Sequence, residues 1–311
     1  MKPDILQLCP FMPTLEAALA ERFTLHRWFE MADGEAFLAS HGAAIRGVVT
    51  GGHLGLPPEL GARLPGLEIV AINGVGYDKV DLTVAKARGY RVANTPDVLT
   101  EDVADLAIGL SISLLRQIVR GHDHVRTGQW PSGDLGLGRK VSRRRFGIFG
   151  LGRIGRAIAR RLEAFDCPIS YASRTRQDVP YTFHDTPLAL ASHCDALIVA
   201  AAATPDTRHI IDAPVLAALG ANGVLVNVAR GSLVDEAALV AALVSGQLGG
   251  AALDVFEDEP RVPRALWDMP NVVLTPHMAS ATHETRADMA RLLLANLDAH
   301  FSGQPLPAAV V

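Results

Sequence analysis

Short apolar stretches alternate with amphipathic segments in the first third of the chain. The apolar runs predict five strands, at Asp4–Cys9, Phe23–Trp28, Gly47–Thr50, Leu67–Asn73 and Arg91–Asn94. Apolar residues at helical spacing between them predict helices at Thr14–Glu21, Glu35–Ser40 and Leu82–Arg88. This alternation is typical of βαβ units and predicts a mostly parallel sheet.

A second series of strands and helices follows a long amphipathic helix. That helix is predicted to begin at Thr100, and its apolar stripe comprises Val103, Leu106, Leu110, Leu114 and Ile118. Beyond it, apolar runs predict six strands, at Phe146–Phe149, Ile169–Ala172, Ala196–Ala200, Val224–Asn227, Ala251–Val255 and Val272–Thr275. Six such strands with helices between them make a complete dinucleotide-binding sheet. A last helix is predicted at about His283–Phe301.

Composition narrows the class of protein. The length of 311 residues suits about two domains, and the hydrophobic fraction of 49% supplies their cores. A formal net charge of −4 gives no reason to expect a nucleic acid partner. Cys9, Cys167 and Cys194 lack the spacing of metal ligands, so we expect neither a metal site nor a disulfide framework. No apolar run approaches the ~18–20 residues of a membrane span, and we expect a soluble cytoplasmic protein.

The most informative motif is a glycine-rich loop between a predicted strand and a predicted helix. In this order, the first glycine allows a tight turn and the second lets the backbone approach a pyrophosphate. The third lets the helix pack closely on the strand, and free N–H groups at the helix N-terminus would bind the phosphates. A dinucleotide is therefore predicted to bind at Gly150, Leu151, Gly152, Arg153, Ile154 and Gly155.

Three later strands are each followed by charged or titratable residues that are suited to catalysis. Arg230 follows one strand, His277 follows another, and between them a third strand runs into three acids, Glu257, Asp258 and Glu259. Because the carboxyl ends of parallel strands meet at one edge of a sheet, we expect these groups beside the nicotinamide. Spacing alone leaves open which of the three acids acts with the histidine.

Over essentially its whole length, the chain resembles the D-isomer-specific 2-hydroxyacid dehydrogenases. The matching segments are Gly150–Gly155, Asn227–Asp235, Leu253–Pro260, Thr275–His277 and Asn73–Asp81. Within that family it looks closest to NADPH-dependent glyoxylate/hydroxypyruvate reductases and their hydroxyphenylpyruvate-reducing relatives. The resemblance implies two doubly wound α/β domains with a cleft between them, one a Rossmann domain and the other flavodoxin-like. We expect the substrate domain at residues 1–97 and 283–311 and the cofactor domain at 98–282.

The resemblance also assigns roles to individual residues. Arg230 would grip the carboxylate of a 2-oxo acid, and His277 would donate a proton to its carbonyl oxygen. Glu259, chosen for its place before Pro260 in the family pattern, would hold the imidazole. Val75 and Gly76 would offer backbone N–H groups to the same carboxylate. Three residues are expected to contact the cofactor: Val228, Ala229 and Asp254. Asp254 would face the nicotinamide carboxamide; the alternative is that it only pairs within the wall of the site.

The cofactor is expected to be NADPH rather than NADH. A site for NAD normally places an acid about 20 residues after the glycine loop, where it binds the ribose 2′-hydroxyl. Here the second strand runs instead into Ser173, Arg174 and Thr175, and no acid follows until Asp178. Hydroxyl groups and a guanidinium suit a 2′-phosphate.

Small 2-oxo acids such as glyoxylate and hydroxypyruvate are the expected substrates. Bulkier 2-oxo acids (hydroxyphenylpyruvate or 2-ketogluconate) remain an alternative, as does a cofactor-sensing binding protein on the same scaffold. The resemblance further implies a homodimer formed through the helix beginning at Thr100. One departure is Ala279, where many relatives have glycine, and the loop around His53 matches no specificity rule.

Overall fold

The computed structural model of the protein describes residues 2–311, which form two compact units. One unit comprises the chain up to Leu99 together with Ser280–Val311, and the other comprises Thr100–Ala279. These boundaries lie close to the expected positions 97/98 and 282/283. They are shifted because a helix begins at Thr100 and because Ala279 is hydrogen-bonded to Asp254 in the second unit.

The strands are β1 (Asp4–Gln7), β2 (Thr24–Arg27), β3 (Ile45–Gly51), β4 (Ile69–Asn73), β5 (Arg91–Ala93), β6 (Phe146–Phe149), β7 (Ile169–Ala172), β8 (Thr182–His184), β9 (Ala196–Val199), β10 (Val224–Asn227), β11 (Gly250–Leu253) and β12 (Val272–Leu274). The helices are α1 (Pro13–Arg22), α2 (Gly34–His41), α3 (Pro58–Ala62), α4 (Leu82–Arg88), α5 (Thr100–Leu115), α6 (Ile118–Arg126), α7 (Arg153–Glu163), α8 (Pro187–Ala191), α9 (Ala213–Leu219), α10 (Glu236–Val244) and α11 (His283–Phe301). Among these helices, none combines the length and apolarity needed to cross a membrane.

The first unit is built on a parallel sheet with the strand order β2-β1-β3-β4-β5. This is the order of a flavodoxin-like doubly wound fold. Neighbouring residues of its strands point to opposite faces, and both faces are buried, which explains the continuous apolar runs in the sequence. One face packs against α11 through Ile5, Val49, Ile69, Leu293 and Leu297. The other face buries Leu6, Val48 and Val70.

The second unit is a parallel sheet with the order β12-β11-β10-β9-β6-β7-β8. Counted from β6, this is the Rossmann order of six strands with one strand added at an edge. The predicted fold class, two doubly wound parallel-sheet domains, is therefore confirmed. Every strand predicted for this unit is present, and the sheet centre lies at β6 and β9, between the two halves.

The second unit differs from the prediction in two elements. The edge strand β8 was not predicted, because its three residues are partly exposed and give no apolar run. The long helix ends at Leu115 instead of continuing through Ile118. Gln117 has a φ of 55°, a left-handed conformation that interrupts the helix, and α6 begins directly after it. Ile118 is consequently 51% exposed and lies outside the apolar stripe.

The side chain of Tyr171 ties the end of β7 to the loop that follows. Its ring is fully buried, and its hydroxyl accepts a hydrogen bond from the N–H of Gln177 at 2.8 Å and donates one to the Gln177 carbonyl at 3.2 Å. The intervening loop contains Ser173, Arg174 and Thr175. Tyr171 therefore fixes both ends of the segment predicted to select the cofactor.

We predict that Tyr171→Phe lowers the free energy of unfolding by about 1–3 kcal/mol, because the Gln177 N–H loses its partner and the Gln177 carbonyl keeps only its bond from the Val179 N–H. Tyr181→Phe is the matched control, since its hydroxyl donates to Glu163 at a more exposed position; its cost should stay near about 0.5 kcal/mol. Urea unfolding of the two variants measures both values. Equal losses would contradict the anchoring role of Tyr171.

Candidate active site

The glycine loop joins β6 to α7, and its three glycines meet different surroundings. Gly150 has a φ of 98°, and a Cβ there would lie 2.5 Å from the backbone of Ala201. A Cβ on Gly155 would lie 2.1 Å from the carbonyl oxygen of Gly150. At Gly152, which caps α7, a Cβ would meet nothing within 4 Å. The loop therefore leaves open space at the N-terminus of α7, as the approach of a pyrophosphate requires.

The other residues of the motif complete the turn. Leu151 is buried, and Arg153 and Ile154 lie in the first turn of α7. Because α7 has a glycine cap, no side chain of that residue competes for the N–H groups of the first turn. The donor set fits the phosphates of a dinucleotide.

The segment after β7 lies at the same edge of the sheet, because β6 and β7 are parallel neighbours. Ser173 donates a hydrogen bond from Oγ to the carbonyl of Thr175 at 2.7 Å, which closes a tight turn. Arg174 is exposed at the tip of that turn, and its guanidinium has no ion pair or hydrogen bond within residues 2–311. Asp178, the first acid after the strand, is exposed beyond Gln177.

Arg230 lies in a turn that the buried side chain of Asn227 organises. The Asn227 amide donates to the Arg230 carbonyl at 2.9 Å and accepts from the Ala229 N–H at 3.0 Å. Val228 is buried and Ala229 is partly buried in this turn. A Cβ on Gly231 would lie 1.9 Å from the carbonyl carbon of Phe256, so only glycine lets the two loops approach so closely. This contact brings the turn of Arg230 against the loop that carries the three acids.

Glu259 is the acid that meets the histidine. Its Oε2 lies 2.7 Å from Nδ1 of His277, and its Oε1 accepts a hydrogen bond from the N–H of Phe256 at 3.0 Å. Both carboxylate oxygens are thus engaged, and the His277 side chain keeps 35% exposure. With Nδ1 facing Glu259, the second ring nitrogen, Nε2, is left for a substrate.

The charges around Glu259 favour its ionised form. Burial opposes ionisation, but the hydrogen bond and charge of His277, the N–H of Phe256 and the charge of Arg230 outweigh it. The pKa of Glu259 is consequently lowered from its ordinary value. Arg230, Glu259 and His277 therefore form one electrostatically coupled group.

The side chain of Asp254 accepts hydrogen bonds from the turn that carries His277. It is fully buried, and its Oδ1 accepts from the Thr275 hydroxyl at 2.7 Å and from the Met278 N–H at 2.9 Å. Its Oδ2 accepts from the N–H of Ala279 at 3.0 Å. These contacts show that Asp254 pairs within the wall of the site; that it also faces the nicotinamide carboxamide stays a prediction. Asp254 holds the turn in which His277 adopts a φ of 50°.

Val75 and Gly76 belong to the other unit, where they follow the carboxyl end of β4. The Val75 carbonyl accepts a hydrogen bond from the side-chain amide of Asn94 at 2.8 Å. The preceding Gly74 packs against the backbone of Gly52, with 3.4 Å between its ideal Cβ and the Gly52 nitrogen. The loop at Val75 and the loop at His53 are therefore neighbours. That Val75 and Gly76 bind a carboxylate stays a prediction.

The two remaining acids of the loop have partners that sequence reasoning missed. Asp258 pairs with Arg261, whereas Glu257 contacts Arg208 and His209 from the loop after β9. The acid-rich run gave no sign of these pairings, because Glu257 and its two partners lie far apart in the sequence. The three cysteines are buried free thiols, and no group of metal-ligating side chains is present among the described residues.

Comparisons with known proteins agree with this geometry. The family profile described as D-isomer specific 2-hydroxyacid dehydrogenase, NAD binding domain, matches residues 108–279. A hydroxyphenylpyruvate reductase of Plectranthus scutellarioides is 52% identical over 308 residues, covering 99% of this chain and 98% of the relative. A glyoxylate/hydroxypyruvate reductase A of Arabidopsis thaliana is 51% identical, with the same coverage.

A solved structure is similar as well. The NADPH-dependent glyoxylate/hydroxypyruvate reductase of Sinorhizobium meliloti, in complex with NADP and malonate, is 46% identical with a TM-score of 0.94. The match covers 100% of this chain and 97% of that one. Together with the glycine loop, these similarities show that the protein uses a nicotinamide cofactor.

We predict that alanine at two glycines of the loop affects two different properties, stability and dinucleotide binding. Gly155→Ala should lower the free energy of unfolding by about 1–3 kcal/mol, because the methyl group meets backbone that must shift. Gly152→Ala should change it by at most about 1 kcal/mol and yet weaken dinucleotide binding, because the methyl group occupies the space left for the pyrophosphate. Urea unfolding and calorimetric titration with NADPH separate the two effects. Unchanged NADPH affinity in Gly152→Ala would contradict the assignment.

Glu259 should make stability depend on pH. Because its pKa is lowered in the fold, ionised Glu259 stabilises the folded protein above the ordinary glutamate value of about 4.3, and this contribution is lost as pH falls through the lowered value. The difference in unfolding free energy between wild type and Glu259→Gln should therefore shrink on acidification from about pH 5 to about pH 3. Urea unfolding across that range measures it. A difference that grows on acidification would show that the sign is wrong.

Proposed function

We propose that this chain, which belongs to the D-isomer-specific 2-hydroxyacid dehydrogenase family, reduces small 2-oxo acids such as glyoxylate and hydroxypyruvate with NADPH. The protein is an oxidoreductase of that family, and its relatives are named for different 2-oxo acid substrates. The observation that carries the proposal is the hydrogen bond between Glu259 and His277 beside Arg230. A binding protein without turnover would have no need of an acid held in this way.

Each residue of the group has one task in this reaction. A bound reduced nicotinamide supplies the hydride that the C2 carbon of the 2-oxo acid receives. Arg230 binds the substrate carboxylate with its planar guanidinium, which matches two oxygens at once. His277 donates a proton from Nε2 to the carbonyl oxygen, and the negative charge of Glu259 at Nδ1 stabilises the charged imidazole before that transfer.

The preference for NADPH rests on the turn after β7. Arg174 stands exposed at its tip, and two hydroxyl residues, Ser173 and Thr175, flank it. In this proposal these groups bind the 2′-phosphate, Ser173 by exchanging its bond to the Thr175 carbonyl for one to the phosphate. No acid before Asp178 offers the carboxylate that binds the 2′-hydroxyl in sites for NAD. Formation of a homodimer and a cytoplasmic location stay predictions.

A substrate panel tests the proposed reaction. Purified protein is mixed with NADPH or NADH and one of glyoxylate, hydroxypyruvate, hydroxyphenylpyruvate or 2-ketogluconate, and oxidation of the cofactor is followed by absorbance. We expect the highest kcat/KM with a small 2-oxo acid and NADPH. Preference for an aryl or sugar-derived acid would favour the bulkier substrate class. Tight cofactor binding with no turnover on any acid would favour a cofactor sensor.

His277→Ala should lower kcat by about 10²–10⁴-fold, because general acid catalysis is lost. The dissociation constant for NADPH should stay near the wild-type value. His193→Ala is the control, since that histidine is exposed after α8. Steady-state kinetics and cofactor titration measure both quantities. Retention of more than about half of wild-type turnover, with chemistry rate-limiting, would contradict the role of His277.

Arg174→Ala should weaken NADPH binding by about 10- to 150-fold, because a hydrogen bond to a charged group is lost. Binding of NADH, which lacks the phosphate, serves as the internal control and should change little. Fluorescence titration of both cofactors into both proteins gives the four constants. Equal losses for the two cofactors, or a wild-type preference for NADH, would refute the proposed phosphate site.

A further inference from the structure

A second charged cluster adjoins the Glu259–His277 pair in sequence and in space. Its centre is Glu257, whose Oε1 lies 2.6 Å from Nη2 of Arg208 and 2.7 Å from Nε2 of His209. The Glu257 side chain is 26% exposed, so water screens these contacts only partly. Glu257 stands two residues before Glu259 on the same short loop.

The two partners of Glu257 lie in a loop that follows a different strand. Arg208 and His209 lie in the segment between β9 and α9, whereas Glu257 follows β11. His209 has a φ of 51°, and its N–H donates to the carbonyl of Ser232 after β10 at 2.8 Å. A histidine in this left-handed conformation persists only where its surroundings impose it. The contacts of His209 therefore connect three neighbouring loops at one edge of the sheet.

The backbone of Glu257 also makes a hydrogen bond, to a side chain of α10. Its N–H donates to Oε2 of Glu236, the first residue of α10, at 3.2 Å. Burial, together with the negative charges of Glu257 and Asp258, raises the pKa of Glu236. Glu236, Glu257 and Asp258 thus place three acidic side chains close together. Arg208 supplies a positive charge that partly compensates them at Glu257.

We propose that Arg208 and His209, through Glu257, position the loop Phe256–Pro260 and so hold Glu259 against His277. Glu257 is a positioning residue, because its carboxylate contacts Arg208 and His209 and acts on the proton donor only through Glu259. The proposal rests on the proposed function, in which His277 is the proton donor. It adds a requirement for three residues outside the group Arg230, Glu259 and His277, namely Arg208, His209 and Glu257.

Glu257→Gln removes the charge at nearly constant side-chain size and is the first test. We expect kcat to fall by about 10- to 100-fold, because misplacement of a catalytic group carries a cost of this order. KM for the 2-oxo acid and the dissociation constant for NADPH should stay within about twofold, since the lost interaction acts on the chemical step. The matched control is Asp258→Asn, which removes the neighbouring acid and its exposed pair with Arg261; its kcat should equal that of wild type. Wild-type kcat in Glu257→Gln, or an equal loss in Asp258→Asn, would overturn the proposal.

A double-mutant cycle distinguishes positioning from general destabilisation. If Glu257 acts through Glu259, then Glu257→Gln should cause no further loss of kcat in a Glu259→Gln background. If the fall in kcat of the double variant equals the product of the falls in the two single variants, the proposal is overturned. Should Glu257→Gln fail to fold, the double variant Arg208→Met and His209→Gln removes the same contacts from the exposed side. It is expected to show the same fall in kcat, and wild-type kcat there would equally overturn the proposal.

A readout without turnover keeps this test separate from the proposed function. The imidazole resonances of His277 can be compared by NMR at one fixed pH, because their chemical shifts report the hydrogen bond between Nδ1 and Glu259. In Glu257→Gln we expect the His277 imidazole chemical shifts to move toward those of Glu259→Gln, even if no 2-oxo acid of the panel is a substrate. Wild-type chemical shifts in Glu257→Gln would overturn the positioning role, whereas absent turnover in wild type would count against the proposed function alone.

Discussion

The arrangement of the site depends on the buried carboxylate of Asp254. This side chain is fully buried, and it accepts hydrogen bonds from the hydroxyl of Thr275 and the N–H groups of Met278 and Ala279. A buried carboxylate is costly unless such donors surround it, so the turn around it has little freedom. His277 is held in a left-handed conformation within that turn. Its position relative to Glu259 follows from this constraint.

The parallel sheet then brings the other groups to the same edge. The glycine loop follows β6, Arg230 follows β10, the acids follow β11, and His277 follows β12. These strands all run in one direction, and β10, β11 and β12 are consecutive neighbours. Gly231 closes the remaining gap, because the absence of a side chain lets its backbone touch Phe256. Topology supplies the common edge, and a few close contacts set the distances.

The sequence predicted the parts of this arrangement that are encoded locally. Strands buried on both faces read as apolar runs, and the glycines between β6 and α7 have functions that their spacing reveals. The edge strand β8 lacks such a run, and the left-handed Gln117 that separates α5 from α6 has no residue type that signals it. Which acid meets His277 was settled by family resemblance. The pairing of Glu257 with Arg208 and the burial of Asp254 were beyond prediction, because these hydrogen bonds join residues distant in the sequence.

Proton uptake on binding of a substrate analogue tests most directly whether Glu259 and His277 hold the proton that the carbonyl receives. Oxamate, an unreactive analogue of a 2-oxo acid, is titrated calorimetrically into the protein with reduced cofactor, in buffers of different ionisation enthalpy. At about pH 8 we predict proton uptake in wild type, because His277 must hold the proton that the bound carbonyl accepts, and no uptake in His277→Ala. Oxamate binding without proton uptake in wild type, or equal uptake in both proteins, would contradict the central claim.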